Sequence, residues 1–333
     1  MHRCRTALFL TALAAIEGQS PGHRGSAERI KESPLLLDIA DVNNPEQPWI
    51  EEGTKGSPVL RALILLARAH FSCGEIDAHF GANLKTTVRA FQGQRGLPLT
   101  GAIDPATWNA LNTDTALAIV TTAIAPEDVQ GPFFRIPSDM MKQAKLDYLG
   151  YSSPLEELSE RFHASQAVME KLNAGASFDS AGQQLSVPNA LTMPPGTAAR
   201  VMVSKGESSV RAVDAAGKLL AFYVATIGSE HDPLPVGEWK ILGVARNPKF
   251  HYNASLFWDA KNTNDRATIA PGPNNPVGVV WIDLSKPHYG IHGTPDPAKV
   301  GHAFSHGCIR LTNWDAAELA NLVKPGTPAT LQE

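Results

Sequence analysis

The hydrophobic periodicity of this 333-residue chain changes at the break Pro194-Pro195-Gly196. Before the break, apolar residues recur three and four positions apart, which is the spacing of amphipathic helices. After it, β-branched and aromatic residues alternate with a two-residue period, which is typical of strands. With 43% hydrophobic residues, the chain is long enough for two or three domains with cores of their own. We therefore predict a multidomain α+β protein in which small helical modules precede a mostly antiparallel β domain.

The β domain is predicted at 199–333. Its predicted strands cover 201–203, 209–213, 218–227, 237–241, 277–284 and 289–292. Residues 214–217 form a predicted hairpin turn, and one helix is predicted to begin after Thr312, with Asp315 three positions further on in its first turn. The stretch 246–276 is polar and too long for a simple turn. A loop of that size in a compact domain is usually functional.

Three short helices are predicted between residues 55 and 113. The first begins at Ser57-Pro58, a good capping and first-turn pair, the second presents an apolar face over 84–91, and the third begins at Asp104-Pro105. Together they predict a small three-helix module with one core. The module resembles the peptidoglycan-binding domain found beside cell-wall enzymes in Val88-Arg-Ala-Phe91-Gln92, Gly96-Leu97-Pro98 and Thr107-Trp108. The alternative interpretation is a three-helix spacer.

A second small module is predicted at 147–190, where helices at 155–162 and 168–173 precede a strand at 182–188. This order resembles a LysM module, a ββ/α linker module whose family binds glycans that contain N-acetylglucosamine. The alternative is a helical linker that fixes the angle between the domains. Residues 114–146 are predicted to be a connector that contains a short helix at most.

The N-terminus has the order of a secretory signal. A charged start is followed by an apolar run from Ala7 to Ile16 that contains the small-residue pattern Ala12-Leu13-Ala14. This run is far below the ~20 residues that span a bilayer, and no other stretch is long and apolar enough for a membrane helix. We predict a signal peptide at 1–14, a linker at 15–54, and export to the periplasm or cell envelope. The alternative is a short helix that packs on the body of the protein.

The charge of the chain argues against nucleic acid as a partner. A formal net charge of −4 and a pI near 6.3 give no basic surface for nucleic acid, which requires clustered Lys and Arg.

Beyond the signal peptide the chain contains Cys73 and Cys308. Secreted domains often pair their cysteines, but this disulfide would have to join two separate domains. Cys73 is therefore predicted to be a small buried side chain.

Chemistry is concentrated near the C-terminus, where residues 288–308 contain four of the eleven histidines and Cys308. A cysteine becomes a nucleophile when a nearby base or positive charge favours its thiolate. In Ser305-His306-Gly307-Cys308 the glycine allows a tight turn, and the amides of Gly307 and Cys308 can point at a developing oxyanion. His306 lies on the same face as Cys308 of an extended segment, and His292 ends a separate strand. The residues alone allow either histidine to be the base.

A metal site is the alternative interpretation of the same cluster. His288 and His292, and again His302 and His306, are four positions apart, a spacing that places two imidazoles on one metal when the segment is helical. Glycine and proline around both pairs make helices improbable there. We therefore predict no metal and no cofactor, and we expect His288 and His302 to be solvated loop residues.

Residues 199–332 resemble the L,D-transpeptidase catalytic domain, also called the YkuD domain. The resemblance lies in Pro235-Val-Gly237, Gly272-Pro273-Asn274-Asn275-Pro276, Ile291-His292-Gly293-Thr294 and Ser305-His306-Gly307-Cys308-Ile309-Arg310. It implies that Cys308 is the nucleophile and His292 its general base. It also implies that the Gly293 carbonyl orients His292, and that the Gly307 amide binds the oxyanion. His306 and Arg310, where many members have Asn, are implied to support the site.

The resemblance implies acyl transfer on peptidoglycan. Cys308 attacks the carbonyl of meso-diaminopimelate in a stem tetrapeptide, D-alanine leaves, and the thioester is transferred to an amine. The acceptor is a second stem peptide, which gives a 3-3 cross-link, or a lipoprotein. The partners are thus peptidoglycan stem peptides and glycan strands, and the upstream modules raise the local substrate concentration. The alternatives are an L,D-carboxypeptidase or endopeptidase on the same substrate, and a non-catalytic peptidoglycan-binding scaffold.

Overall fold

A nine-stranded sheet runs through the part of the chain that the structure describes. The computed structural model describes residues 36–258, 260 and 262–333, so the predicted signal peptide at 1–14 and the first part of the predicted linker lie outside the described residues. The helices are α1 (Ile39–Asn43), α2 (Ser57–Arg68), α3 (Ala82–Gln94), α4 (Pro105–Leu111), α5 (Met140–Gln143), α6 (Pro154–Arg161), α7 (Gln166–Leu172) and α8 (Asn313–Leu322). The strands are β1 (Phe71–Ser72), β2 (Ile119–Ala123), β3 (Gln184–Pro188), β4 (Arg200–Ser204), β5 (Ser209–Val213), β6 (Leu219–Val224), β7 (Gly237–Arg246), β8 (Phe250–Asn253), β9 (Arg266–Ile269), β10 (Val280–Leu284), β11 (Gly290–His292), β12 (Ile309–Arg310) and β13 (Pro328–Gln332).

The large sheet forms the core of the C-terminal domain. Its strand order is β1-β6-β5-β4-β13-β7-β10-β11-β12. Neighbouring strands are antiparallel except for the pairs β1–β6, β4–β13 and β11–β12. Helix α8 packs on this sheet through Leu319 and Leu322, and its N-cap Thr312 accepts a hydrogen bond from the Asp315 amide. The predictions of a mostly antiparallel domain and of this capped helix are confirmed.

Helices α2, α3 and α4 form the predicted three-helix module. Helix α2 begins at Ser57, but the predicted capping role of Ser57 is wrong, because the N-cap is Gly56 and the Ser57 hydroxyl hydrogen-bonds to the backbone of Asp38 instead. The Asp104 side chain caps α4 as predicted by accepting a hydrogen bond from the Thr107 amide. Part of the predicted linker packs on this module, because α1 lies within it and Ile50 is buried and forms a β-bridge with Ile103. The ordered body of the protein therefore begins well before residue 55.

The helical module and the β domain share one hydrophobic core. Strand β1 follows α2 closely and pairs in parallel with β6, so that Phe71 lies opposite Phe222. Phe222 and Val224 of β6 are buried in the same apolar cluster as Leu66 of α2 and Phe91 of α3. The sequence predicts separate modules instead, because a two-residue strand is too short for any alternation to be visible.

Residues 119–188 contain a second small unit, in which β2 and β3 pair antiparallel around helices α6 and α7. We refer to these elements as the βααβ unit. Both helices and β3 lie within two residues of their predicted bounds. The prediction that the connector at 114–146 contains a short helix at most is wrong at Ile119–Ala123, because β2 pairs with a strand some sixty residues further along the chain, and local pattern does not report that pairing.

The long polar stretch 246–276 contains a β-hairpin. Strands β8 and β9 pair antiparallel, with Phe250 opposite Ile269 and Asn253 opposite Arg266. The chain between these strands includes Phe257 and Trp258, so we call residues 250–269 the aromatic hairpin. The sequence predicts a functional loop here without its strands, because the short alternation is interrupted by polar residues.

Candidate active site

The end of the large sheet brings the two principal predicted residues onto one face. Strands β11 and β12 pair in parallel, with Ile291 opposite Ile309 and His292 opposite Arg310. Cys308 directly precedes β12, so it lies one alternation step away from Arg310 on the face that carries His292. Diagonal neighbours of this kind on one sheet face lie within reach of long side chains. The topology thus places the imidazole and the thiol in neighbouring positions.

His292 is held in one orientation. Its side chain is buried, and its Nδ1 lies 2.6 Å from the carbonyl oxygen of Gly293. An N–H at Nδ1 therefore donates to that carbonyl, which leaves Nε2 as the acceptor. The ring stacks on Trp281 of β10, with centroids 5.4 Å apart and planes inclined by 16°. Burial, together with the positive charge of Arg310, lowers the pKa of His292 to about 3, so the imidazole is neutral at pH 7.

Cys308 is half-buried, and its thiol donates a hydrogen bond to the carbonyl oxygen of His288 at 3.8 Å. Burial raises the pKa of the Cys308 thiol, whereas the backbone of Gly290 and the charge of Arg310 act in the opposite direction. The thiol is consequently protonated at neutral pH. In this state a base must remove its proton when the nucleophile is needed.

Gly307 cannot be replaced without moving a neighbour. Its φ is +96°, and a Cβ atom there would lie 2.8 Å from Cε1 of Tyr289. The tight turn predicted for this glycine is therefore present, and the close approach of the Tyr289 ring is a second reason for it. On the other side of the turn, the Ser305 hydroxyl donates to the carbonyl oxygen of Cys308 at 2.5 Å. These contacts fix the backbone that precedes the thiol.

His306 and Arg310 occupy different surroundings. The His306 ring lies against the aromatic hairpin, 5.1 Å from the ring of Phe257 and 6.1 Å from that of Trp258. Trp258 also contacts the ring of His231 at 4.6 Å, so aromatic rings from three segments meet beside the motif. Arg310 lies next to His292 in the sheet, and its buried Nε has no hydrogen-bond partner among the described residues.

The side chains of the other two histidines of the cluster lie outside this arrangement. His288 and His302 are exposed, and the ring of His302 is 3.2 Å from the amide nitrogen of Asn83 in helix α3. Within the described residues, no group of three or more His, Cys, Asp or Glu side chains is arranged to hold a metal ion. Cys73 and Cys308 are both free thiols, and Cys73 is buried as predicted.

Several residues at the site are not predicted from the sequence. Tyr289, Trp281 and Asn313 contact Gly307, His292 and Gly293, respectively. Tyr289 lies inside the motif-rich stretch, so its position in the sequence is a signal that could have found it. Asn313 follows a helix cap, and Trp281 lies in a predicted strand. Nothing near either residue in the sequence indicates a place at the site, because only the sheet register brings them there.

Comparisons with known proteins identify the families that the two parts of the chain resemble. Residues 198–331 match the family described as the L,D-transpeptidase catalytic domain, YkuD, and residues 55–111 match the family described as "Putative peptidoglycan binding domain". The relatives include two proteins named "Putative L,D-transpeptidase YkuD". The one from Bacillus licheniformis is 30% identical over 179 residues, and the one from Bacillus subtilis is 30% identical over 178 residues. Each alignment covers 53% of this chain and 92% of the relative.

A solved structure of L,D-transpeptidase 3 from Mycobacterium tuberculosis aligns with 18% identity and a TM-score of 0.34, over 46% of this chain and 75% of that one. The sequence relatives carry the assignment, because the chain spans nearly their full length at 30% identity. The chain carries a peptidoglycan-binding domain before its catalytic domain. It belongs to the YkuD family of L,D-transpeptidases.

Proposed function

We propose that this protein is a cysteine-dependent L,D-transpeptidase that acts on peptidoglycan stem peptides. Cys308 is the nucleophile, and His292 is the proton acceptor and donor. The observation that carries the proposal is the orientation of His292, whose Nδ1 is tied to the Gly293 carbonyl at 2.6 Å and whose Nε2 is thereby left to accept a proton. A neutral imidazole on the same sheet face as a protonated thiol has the protonation state that a general base requires.

In the first half-reaction, the Cys308 sulfur attacks the carbonyl carbon of meso-diaminopimelate in a stem tetrapeptide. Because the pKa of the thiol is raised and that of His292 is lowered, proton transfer to Nε2 accompanies formation of the carbon–sulfur bond. The amides of Gly307 and Cys308 donate to the oxyanion. The carbon–nitrogen bond to D-alanine then breaks, His292 returns the proton to the leaving amine, and a thioester remains on Cys308.

In the second half-reaction, an amine from a second stem peptide attacks the thioester. His292 accepts a proton from that amine, the carbon–sulfur bond breaks, and His292 gives the proton to the leaving sulfur, which restores the thiol of Cys308. The product is a 3-3 cross-link when the acceptor is a stem peptide, and a peptidoglycan-linked protein when it is a lipoprotein. His306 lies between the nucleophile turn and the aromatic hairpin, where it borders the approach of a peptide. Arg310 supports the site through its positive charge.

The upstream modules and the site fit a protein that works outside the cytoplasm, in the periplasm or cell envelope. The peptidoglycan-binding domain at 55–111 packs on the catalytic sheet through β1 and β6, so wall polymer bound there is kept near the catalytic domain. The βααβ unit is a candidate LysM-like glycan contact. Of the helices in the described part of the chain, none has the length and apolar character needed to cross a membrane.

The test uses the full chain with a purified disaccharide-tetrapeptide and mass spectrometry of the products. We expect a dimer with a 3-3 linkage, release of D-alanine, and an adduct on Cys308 after incubation with a carbapenem. Cys308→Ala abolishes both product and adduct, whereas the matched variant Cys73→Ala retains them because that thiol is buried in the apolar cluster that contains the helical module. A tripeptide monomer as the sole product would identify a carboxypeptidase. No product and no adduct would support the scaffold alternative.

A further inference from the structure

Asn313, the first residue of α8, joins three parts of the protein. Its Nδ2 donates to Oε1 of Glu160 at 2.9 Å and to the carbonyl oxygen of Pro273 at 3.1 Å. Its Oδ1 accepts a hydrogen bond from the amide of Val279 at 3.1 Å. The side chain is almost fully buried, so each of these bonds is protected from water. Asn313 has therefore one orientation, and Glu160 of the βααβ unit is one of the groups that set it.

The oxygen of Asn313 rests directly on the backbone that orients the base. A Cβ atom added to Gly293 would lie 2.2 Å from Oδ1 of Asn313, and one added to Gly278 would lie 2.0 Å from the same oxygen. Gly293 is the residue whose carbonyl accepts the hydrogen bond from His292. Any rotation of the Asn313 amide thus pushes on Gly293, or withdraws support from it, and moves the acceptor that fixes the imidazole.

Glu160 is well placed to hold the Asn313 amide. It lies on α6, it is mostly buried, and its Oε1 also accepts a hydrogen bond from the Tyr151 hydroxyl at 3.3 Å. The titratable groups around it are Tyr148 and Tyr151 from the segment before α6, and Glu156 and Glu157 from α6 itself. Burial, the largest cause, raises the pKa of Glu160 to about 7.

A second set of contacts anchors the same unit beside the site. The amide of Asn274 donates to the carbonyl oxygen of Leu149, and its side-chain Nδ2 donates to the carbonyl of Gly150 and to Oε1 of Glu156. A Cβ atom at Gly272 would lie 2.2 Å from the Leu149 carbonyl oxygen, so this glycine permits the close approach. The segment 272–276 is therefore clamped by the βααβ unit immediately before it leads into β10.

We propose that Glu160 is a positioning residue for the catalytic base, acting on His292 through the Asn313 amide and the Gly293 backbone. This inference rests on the proposed function, since it assigns Glu160 a part in the action of His292. It gives the βααβ unit a role in the chemical step in addition to any contact with glycan. Loss of the Glu160 carboxylate frees the Asn313 amide, and the His292 acceptor then moves away from its productive position.

The experiment compares Glu160→Ala and Glu160→Gln with Glu157→Gln in the full chain. Glu157 is the matched control, because it lies on the same helix and pairs with the exposed Arg161 instead of Asn313. With soluble muropeptide we expect Glu160→Ala to lower kcat by on the order of tenfold to a hundredfold while KM stays within about twofold, since misplacement of a catalytic group affects the chemical step. Glu160→Gln, which keeps an acceptor oxygen, recovers most of kcat.

Two further readouts separate positioning from simple loss of structure. In the wild type, kcat changes across an ionisation of Glu160 near pH 7 only by the modest factor that separates Glu160→Gln from the wild type, because both neutral side chains keep an acceptor oxygen for Asn313 and Tyr151, and Glu160→Gln lacks that step. In the ¹⁵N-histidine NMR spectrum, the Nδ1–H resonance of His292 shifts in Glu160→Ala and stays unchanged in Glu157→Gln. The melting temperatures of the Gln variants are expected to agree.

The inference is overturned if Glu160→Ala leaves both kcat and the His292 resonance at their wild-type values, or if Glu157→Gln produces the same losses. Failure of the proposed function looks different. In that case the wild type forms neither cross-link nor adduct. The His292 resonance still shifts in Glu160→Ala, so the inference that Glu160 positions His292 would stand.

Discussion

Phe222 of β6 stacks on Phe71 of β1, with ring centroids 6.3 Å apart and planes inclined by 19°. Phe71 in turn meets Phe91 of α3 edge to face at 5.4 Å. These rings join the three-helix module to the catalytic sheet, and each is fully buried. The two domains are thus parts of one folding unit, and the module at 55–113 is more than a tether.

This shared core makes unfolding cooperative across the two domains. We expect Phe222→Ala to destabilise the protein by about 3–5 kcal/mol, as is usual for a buried phenylalanine, and to lower a single calorimetric transition. Phe304→Ala is the control, because Phe304 is 78% exposed, and it should leave the transition within about 0.5 kcal/mol of wild type. Two separate transitions in the wild-type scan, only one of which moves in Phe222→Ala, would contradict this prediction.

The backbone at Gly307 provides a sharper test of the site. Gly307→Ala places a methyl group 2.8 Å from the Tyr289 ring, at a φ of +96° that disfavours any side chain. We expect it to lower kcat/KM by on the order of a hundredfold or more, because the oxyanion amides shift with the turn. Gly326→Ala is matched in backbone, with a φ of +91° and nothing within 4 Å of the added carbon. Equal losses in both variants would point to general backbone strain.

The state of the Cys308 thiol can be read from its rate of alkylation by iodoacetamide as a function of pH, with mass spectrometry to localise the label. Because burial raises the pKa of Cys308, we expect the midpoint to lie above the ordinary range of a cysteine. The charge of Arg310 acts to lower this pKa, so Arg310→Gln should move the midpoint further upward. A wild-type midpoint below pH 7 would instead indicate that Cys308 and His292 form a thiolate–imidazolium ion pair in the resting protein.

Acid stability should depend on His163, which stacks on Trp314 of α8 at 5.0 Å. Burial lowers the pKa of His163 from the ordinary 6.5 to about 4. As the pH falls below 6.5, His163 becomes protonated in the unfolded chain but stays neutral in the folded protein. The free energy of unfolding therefore decreases until the pH reaches about 4, where the folded protein also binds the proton. His163→Phe keeps an aromatic ring and should remove about 2 kcal/mol of that loss, after allowance for partial exposure.

Denaturant unfolding at about pH 7 and pH 4.5 measures this difference. His251→Phe, which changes an exposed histidine of the aromatic hairpin, should behave like wild type. If His163→Phe lost as much stability on acidification as the wild type does, the buried neutral histidine would not be a source of the acid sensitivity.

Much of the fold follows from the sequence, and so does the proposal that His292 and Cys308 are the two principal site residues. Helices α4 and α8 are marked by side-chain caps, and α2 and α3 by apolar spacing, and both signals act within a few residues of chain. Most strands of the β domain are long enough for their alternation to appear. The motif that contains His292 and Cys308 carries the resemblance to the family. Each of these features is specified by residues that are close together in the chain, so each can be recognised from the sequence.

Other features depend on contacts between distant segments. Strand β1 exists because its two residues pair with β6, and β2 exists because β3 returns beside it. The choice between His292 and His306 is a further example. The sequence alone leaves both open as bases, whereas the register of β11 with β12 places His292 beside Arg310, and tertiary packing sets His306 against the aromatic hairpin.

The sequence by itself thus determined the order of the modules, the capped helices α4 and α8 and the turn at Gly307, because each is specified by residues that are close together in the chain. Tertiary structure decided that the modules share a core, that His292 is neutral and fixed by Gly293, and that Glu160 reaches Asn313 across 153 positions. Burial and sheet register control these three features. Both arise only when segments that are distant in the chain pair and pack against one another.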